Sequence, residues 1–211
     1  RDLHSFPTRR SSDLLHPTTG TVTVNGVDIS ASTEEAKKMR HKVGMVFQYP
    51  EHQLFEETIA QDIAFGPKNL GLSADDVDER VRDAMKFVGL DYDIYAERSP
   101  FHLSGGQMRR VAIAGVVAMN PDFLVLDEPS AGLDPFGREE IFEEIIRLHK
   151  EKGITVILVS HNMEDISRMA SRLVVLDKGR VVLDGEPMDI FNNHRDELQA
   201  VGVDVPPVSV T

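Results

Sequence analysis

Two short blocks near the middle of the chain constrain its fold more than any other feature of the sequence. The first is a Gly-rich turn that opens a helix, with the sequence Leu103-Ser104-Gly105-Gly106-Gln107. The second is an all-apolar run at residues 123–126, followed by Asp127-Glu128-Pro129. An apolar run of this length is typical of a strand that is buried on both faces. The two blocks predict a helix and then a buried strand with two carboxylates at its carboxyl end.

Predicted strands and helices alternate around these blocks. Asn25-Gly26 and Lys178-Gly179 are turn sequences between apolar runs, and each predicts an antiparallel pair of strands. Further predicted strands lie at residues 43–47, 155–160 and 173–176, and predicted helices at about 105–119, 137–152 and 163–170. Strands that alternate with helices predict an α/β fold with a mostly parallel, doubly wound sheet.

A helical subdomain is predicted within this α/β pattern. Residues 48–72 are irregular, with prolines and glycines between short amphipathic pieces. Ser73 is a suitable N-cap for a helix in which Val77, Val81 and Met85 recur at helical spacing, with Gly89 at its end. The expected organisation is one α/β domain over residues 15–195, which includes a helical subdomain at about 50–118, and then a C-terminal tail over 196–211.

Composition limits the possible partners. The chain has 211 residues, of which 41% are hydrophobic and 27% charged, enough for one substantial core. A net charge of -12 opposes binding to a nucleic-acid backbone, so no nucleic acid is expected as a partner. The chain has no cysteine. Its best apolar stretch, residues 111–119, is far shorter than the roughly 20 residues that span a bilayer, so any membrane association is expected to go through a partner.

The first fourteen residues, RDLHSFPTRRSSDL, show no hydrophobic periodicity. They are similar, residue by residue, to the translation of a common sequencing adapter, and a targeting leader is the less favoured interpretation. We therefore expect residues 1–14 to be a non-native leader and native sequence to start at Leu15.

The Gly-rich turn offers an anion site. Ser104, Gly105 and Gly106 place backbone N–H groups and a hydroxyl at a helix N-terminus, where partial positive charge attracts phosphate. Taken alone, the same residues would equally suit an ordinary helix cap. Asp127 and Glu128, at the end of a buried strand, suit a Mg²⁺ ligand and a residue that orients an attacking water.

Together these motifs resemble the ABC ATPase family, nearly continuously from Gly20 to about Phe191. The resemblance implies a P-loop NTPase-like fold that acts as a dimer on ATP and Mg²⁺. Ser104, Gly105, Gly106 and Gln107 would be the signature motif, which contacts ATP held by the opposite subunit. Asp127 would be the Walker B acid at Mg²⁺, and Glu128 the catalytic base or water-orienting residue.

The same resemblance assigns the remaining site residues by their order along the chain. Gln48, after the strand at 43–47, matches the Q-loop glutamine and would reach both Mg²⁺ and the attacking water. His161 matches the switch histidine that would bond the γ-phosphate. Ser130-Ala131-Gly132-Leu133-Asp134 matches the D-loop at the dimer interface, with Ser130 where Thr is frequent, and Asp134 is expected to contribute to ATP binding.

The sequence around Gln48 resembles that of energy-coupling factor (ECF) ATPases in particular. Within that group it is most similar to the second of the two ATPase types. It implies peripheral attachment to the cytoplasmic face of the cell membrane. The implied partners are a second ATPase subunit, a transmembrane component that docks near the Q-loop, and a membrane component that binds a vitamin or metal ion. Leu54, Phe55 and Phe65 are expected either to form an apolar socket for this docking or to be core residues of the subdomain.

The phosphate-binding string G-x-x-x-x-G-K-[ST] does not occur in the 211 residues. In the family it precedes the turn represented here by Pro17-Thr18-Thr19-Gly20, so the loop and the first strand are expected to be missing, and the chain to bind ATP poorly and not to hydrolyse it unaided. Two alternatives to an importer ATPase remain: a soluble ABC ATPase, and a non-hydrolysing partner that presents Ser104–Gln107 to another subunit's ATP.

Overall fold

A three-stranded parallel sheet lies at the centre of the molecule. The computed structural model describes residues 19–49 and 53–203. The strands are β3 (Val43–Val46), β4 (Phe123–Asp127) and β5 (Thr155–Val159), in the order β3-β4-β5. Val46 pairs with Leu126 and Leu126 with Leu158, so the three strands end together at one edge. The predicted parallel sheet is confirmed.

Two antiparallel pairs flank this sheet, at the two turn sequences that predict them. The pair β1 (Thr23–Val24) and β2 (Val27–Asp28) closes at Asn25-Gly26, and β6 (Leu173–Asp177) and β7 (Arg180–Gly185) close at Lys178-Gly179. Both residues of each turn have positive φ, at 50° and 79° in the first and 47° and 76° in the second. Positive φ at both positions gives the turn a twist that matches the flanking strands.

The helix α1 (Glu34–His41) follows the first hairpin and has no counterpart in the sequence prediction. Thr33 caps its N-terminus by accepting a hydrogen bond from the Ala36 N–H. Arg40 donates to the carbonyl oxygens of Ile29 and Ala31, at 2.7 and 3.0 Å, and so holds the hairpin against the helix.

The helical subdomain consists of α2 (Ile59–Asn69), α3 (Ala74–Phe87), the short α4 (Tyr92–Tyr95), a 3₁₀ turn and α5 (Gly105–Val117). Ser73 caps α3 as predicted. The 11-residue helix α2 lies where the sequence predicted irregular structure. Gly66 explains part of this difference: a Cβ atom there would lie 2.6 Å from Met119 Cγ, so the glycine permits close packing against the end of α5 and is not a helix terminator.

The α/β half continues with α6 (Pro135–Lys152) and α7 (Met163–Met169), and the chain then folds as α8 (Pro187–Asn193) and α9 (Arg195–Ala200). A main hydrophobic cluster joins the sheet to the helical subdomain, and a second one lies around α8 and α9. Leu198 is fully buried in the second cluster. The tail predicted at 196–211 therefore begins inside α9, and its residues 204–211 lie outside the described part of the chain. In the described ranges, no helix has the length and apolar character required to span a membrane.

One carboxyl group is buried where α6 faces the helical subdomain. Glu144 lies on α6, and burial raises its pKa to about 7, although the charges of Arg110 and Arg147 act in the opposite direction. In the same region, Arg147 donates a hydrogen bond to the carbonyl oxygen of Phe87, at the end of α3. The sequence prediction gave Glu144 no role.

The buried Glu144 predicts how stability changes with pH. Its folded-state pKa lies above the unfolded value of 4.5, so unfolding is progressively favoured as the pH rises from about 4.5 to 7 and the effect levels off above that. The shift corresponds to about 3 kcal/mol. We expect Glu144→Gln to remove this part of the pH dependence, measured by urea unfolding between pH 5 and 8. Glu143→Gln, at the exposed neighbouring position, is the matched control, and identical slopes in both variants would contradict the assignment.

Candidate functional site

Three predicted site residues follow the three parallel strands at the same edge of the sheet. Gln48 lies two residues after β3, Glu128 directly follows β4, and His161 lies two residues after β5. Gln48 is exposed in the loop beyond β3. Because the carboxyl ends of parallel strands meet at one edge, residues far apart in sequence lie along the edge at which α/β sheets bind ligands.

Glu128 and His161 are in direct contact. The carboxylate atom Glu128 Oε1 accepts a hydrogen bond from the His161 backbone N–H at 2.8 Å and lies 2.6 Å from His161 Nδ1. The Glu128 backbone N–H donates to Val159 O at 2.9 Å, and the residue has φ of 48°, in the left-handed region. The side chain of Glu128 is only 17% exposed, whereas that of His161 is 86% exposed. The pair therefore lies at the sheet edge with its histidine facing outward.

With an ionised Glu128 carboxylate, the contact favours one tautomer of the histidine ring. An ionised carboxylate only accepts hydrogen bonds, so Nδ1 is the donor to Glu128, and Nε2 of a neutral ring is then an acceptor. A phosphate group likewise presents acceptor oxygens. His161 can therefore donate to a phosphate only if it leaves Glu128 or if the ring takes up a second proton.

Asp127 is the last residue of β4 and pairs in the sheet with Val159. Its carboxylate is a suitable ligand for Mg²⁺, which usually takes one or two carboxylates together with water and phosphate oxygens. Within the described residues, no group of three or more His, Cys, Asp or Glu side chains could hold a metal by itself. The residues present thus fit a Mg²⁺ ion that enters together with a phosphate ligand. Asp127 and Gln48 would supply the side-chain oxygen atoms from the protein.

The predicted signature residues form a complete capping box at the start of α5. Ser104 Oγ accepts from the Gln107 N–H at 3.3 Å, and Gln107 Oε1 accepts from the Ser104 N–H at 3.1 Å. Gln107 Nε2 donates to the hydroxyl of Tyr95 at 3.4 Å. Gly105 and Gly106 are exposed, and a Cβ atom at either would meet nothing within 4 Å. The first turn of this 13-residue helix is thus open to a ligand from outside.

The two interpretations of the signature residues are compatible. The serine hydroxyl and the glutamine amide act as a cap, while the N–H groups of the first turn lie at an exposed helix N-terminus that favours an anion. Among the described residues, no hydrogen bond joins Ser104 or Gln107 to Glu128 or His161.

Residues 128–134 connect β4 to α6 and contain the predicted D-loop motif at 130–134; the whole segment is called the D-loop below. It is held by a residue that the sequence did not single out. Arg109, on α5, is buried and donates to the carbonyl oxygens of Pro129 and Ala131, at 3.0 and 3.4 Å. A charged residue among the apolar positions of α5 is visible in the sequence, but its partners are 20 and 22 residues away. Arg109 joins the signature helix directly to the D-loop.

Asp134 ends the D-loop and caps α6. Its Oδ1 atom accepts a hydrogen bond from the Gly137 N–H at 2.8 Å. The predicted contribution of Asp134 to ATP binding is not tested by this contact, which instead gives the residue a structural function. Gly132, with φ of 72°, lies under the ring of Tyr49: a Cβ atom on this glycine would be 3.4 Å from Tyr49 Cε1. The D-loop thus packs against the loop that carries Gln48.

An apolar groove lies between α2 and α5. Phe55 and Phe65 line it, with ring centroids 4.9 Å apart in an edge-to-face arrangement. Asp62 accepts hydrogen bonds from the N–H groups of Phe55 and Glu56, at 3.1 and 3.0 Å, and burial raises the pKa of its carboxyl group. Leu54 is only 7% exposed and belongs to the main hydrophobic cluster. Leu54 is therefore a core residue of the subdomain, whereas the half-buried Phe55 and Phe65 line the groove.

Comparisons with known proteins agree with this geometry. The sequence model of the family described as ABC transporter matches residues 10–131, more than half of the chain, and starts inside the leader predicted at 1–14. The chain is 56% identical over 196 residues to the "Energy-coupling factor transporter ATP-binding protein EcfA2" of Clostridium tetani, which covers 93% of this chain and 68% of the relative. The protein of the same name from Bacillus cereus is 56% identical over 195 residues, which is 92% of this chain and 66% of that protein.

Two solved structures are similar in fold. CbiO1 from Clostridium perfringens, described as part of the ABC transporter complex cbiONQ, has a TM-score of 0.75 at 36% identity and covers 92% of this chain and 76% of its own. A dimeric post-hydrolysis state of the ATP-binding cassette MJ0796, bound to ADP and Pi, has a TM-score of 0.67 at 28% identity and covers 81% and 75%. The family match over more than half of the chain and the relatives at 56% identity show that the chain belongs to the ABC transporter family.

Proposed function

We propose that this chain is the ATP-binding subunit of an ECF importer, which couples Mg²⁺-ATP hydrolysis at a dimer of ATPase domains to uptake of a vitamin or metal ion. The observation that carries the proposal is the convergence of Gln48, Glu128 and His161 at one edge of the sheet, with Asp127 beside them. The relatives named EcfA2 support the ECF type.

The positions of Glu128 and His161 at the sheet edge support the chemistry proposed for them. Glu128 is held by a strand end and by the His161 N–H, so its carboxylate is fixed in place to orient a water molecule for in-line attack. His161, mostly exposed, is placed to donate to the phosphate once it turns from Glu128. A bound Mg²⁺ would neutralise phosphate charge as the bond breaks, with Asp127 and Gln48 as its protein ligands.

The exposed start of α5 is proposed to serve the ATP of the opposite subunit. The open first turn at Gly105 and Gly106 supports this, because it leaves room for a ligand that comes from outside the chain. The MJ0796 cassette, with which this chain shares its fold, was solved as a dimer. The second subunit, the transmembrane component and the substrate-binding membrane component are the proposed partners, at the cytoplasmic face of the cell membrane.

Activity is best tested in an extended subunit, defined as residues 15–211 preceded by a strand and a G-x-x-x-x-G-K-[ST] loop. We expect this protein to hydrolyse Mg²⁺-ATP and to co-purify with an ECF transmembrane component. The non-hydrolysing alternative predicts a different result: no turnover by the extended subunit, but stimulation of a partner ATPase by the 211-residue chain. A soluble ABC ATPase would hydrolyse ATP without co-purifying with the membrane component.

The groove at Phe55 is the proposed docking surface for the transmembrane component. We expect Phe55→Asp to reduce apparent affinity for that component at least about tenfold, because a half-buried aromatic side chain that lines the groove is replaced by a charge. Co-purification from detergent measures the effect. Ile94→Asp, at an exposed apolar position elsewhere in the subdomain, is the control. Equal recovery of both variants would return Phe55 to the alternative interpretation as a residue of the subdomain core.

A further inference from the structure

A buried carboxylate outside the predicted site joins three separate segments of the chain. Asp165, on α7, is 2% exposed. One of its oxygens, Oδ2, lies 3.2 Å from the hydroxyl of Ser130, which donates to it from the D-loop. The other, Oδ1, accepts from Arg138 on α6, with Nε at 2.9 Å and a second contact from NH2. Removal of this carboxylate would leave Arg138 without its charged partner at the site.

Two contacts therefore connect the D-loop to the segment that follows β5. The contact that comes first along the D-loop also comes first along that segment. Glu128 contacts His161 at the start of each segment, and Ser130 contacts Asp165 further on. Asn162, between the two, caps α7 by accepting from the N–H groups of Glu164 and Asp165. The direction of α7 is thus fixed relative to His161.

The two contacts differ in their exposure and in what hydrolysis requires of them. The Glu128–His161 contact has an exposed histidine, and in the proposed hydrolysis His161 turns from Glu128 to the phosphate. In the Ser130–Asp165–Arg138 contact the carboxylate is 2% exposed, and its hydrogen bond with Arg138 is charge-assisted. Opening of the first contact need not disturb the second.

We propose that Asp165 is a positioning residue, which holds the D-loop against α7 while the Glu128–His161 contact opens and closes. The inference rests on the proposed ATPase function and adds a residue to it. Asp165 acts through Ser130 and Arg138 and touches no reacting atom. Without it, Glu128 and His161 would no longer return to the same relative position, and misplacement of catalytic groups lowers the rate of the chemical step more than substrate binding.

Steady-state kinetics of the extended subunit test this inference. We expect Asp165→Asn, which keeps the shape but loses the charge, to lower kcat about tenfold with KM for ATP changed less than about twofold. Ser130→Ala should lower kcat in the same direction, and Ser130→Thr, which restores the hydroxyl, should recover it. The double variant Ser130→Ala/Asp165→Asn should be no slower than the slower single variant, because the two residues act as a unit. Glu164→Gln, at the exposed neighbouring position, is the control.

Hydrogen exchange in the 211-residue chain provides a second measurement that needs no ATP. The Ala131 N–H donates to Glu128 O at 3.0 Å and the Leu133 N–H to Ser130 O at 3.3 Å, both within the D-loop. We expect both amides to exchange faster in Asp165→Asn and Ser130→Ala than in Glu164→Gln. This result would support the inference even if the extended subunit did not hydrolyse ATP, an outcome that would count against the proposed function alone.

Two results would overturn the inference. One is a kcat of Asp165→Asn and Ser130→Ala within about twofold of the parent in an active extended subunit. The other is unchanged exchange of the Ala131 and Leu133 amides in folded variants. If Asp165→Asn does not fold, Ser130→Ala decides, since it removes only a hydroxyl from a half-buried loop position.

Discussion

Glu128→Gln in the extended subunit is expected to lower ATP turnover by a factor on the order of 100 or more. The amide cannot accept a proton or hold the attacking water as a carboxylate does, whereas its size is unchanged. ATP binding should survive, because the other proposed ligands are intact. The measurement is single-turnover hydrolysis, with gel filtration in Mg²⁺-ATP to detect trapped dimers.

The contact with His161 provides a check that Glu128→Gln leaves the fold of the loop unchanged. Glu128 accepts the His161 N–H through Oε1, and a glutamine can keep that hydrogen bond through its own oxygen. The fold of the loop should therefore be preserved, which amide exchange at His161 would show. Glu143→Gln, at an exposed site on α6, is the control for loss of a carboxylate alone. Turnover close to that of the parent protein would remove Glu128 from its proposed role.

Gly105→Glu is expected to reduce ATP-dependent dimerisation and turnover at least about 100-fold. A carboxylate at the first turn of α5 would face the phosphate of the opposite subunit, and like charges at an interface cost several kcal/mol. The fold itself should tolerate the change, since a Cβ atom at Gly105 meets nothing within 4 Å and an acidic residue suits a helix N-terminus.

A mixed dimer tests the assignment to the opposite subunit. When only one subunit carries Gly105→Glu, the site that holds the partner's ATP should fail, and the ATP held by the variant subunit should still be hydrolysed. Gly105→Ala is the matched control, because it adds the Cβ atom without the charge. If hydrolysis is lost at the site that holds the variant subunit's own ATP, and the partner's site stays active, residues Ser104–Gln107 serve their own subunit's ATP and the assignment is wrong.

The sequence predicted most of the sheet because the relevant signals are local. The apolar runs before Gln48 and Asp127 coincide with β3 and β4, and the turns at Asn25-Gly26 and Lys178-Gly179 coincide with the two hairpins. The helix α2 was missed because Gly66 and Pro67 normally interrupt helices, and only tertiary packing shows that Gly66 is required by Met119.

The site was predicted in part for the same reason. Glu128 and His161 were identified by their order in the chain, and the structure places them in contact. Arg109 and Asp165 were not identified, because each acts on partners at least 20 residues away and neither belongs to a recognisable motif. A buried charge can be assigned a role only when the fold shows which polar groups surround it.

The position of Arg109 has a consequence for how two bound ATP molecules would influence each other. Its guanidinium bonds the D-loop just after Glu128, which is proposed to serve the subunit's own nucleotide. Its helix begins at the turn proposed to serve the partner's nucleotide. Arg109 is thus a direct connection within a single subunit through which a displacement at one end could reach the other. We expect the dimer to show positive cooperativity, with turnover rising more steeply than in proportion to ATP concentration.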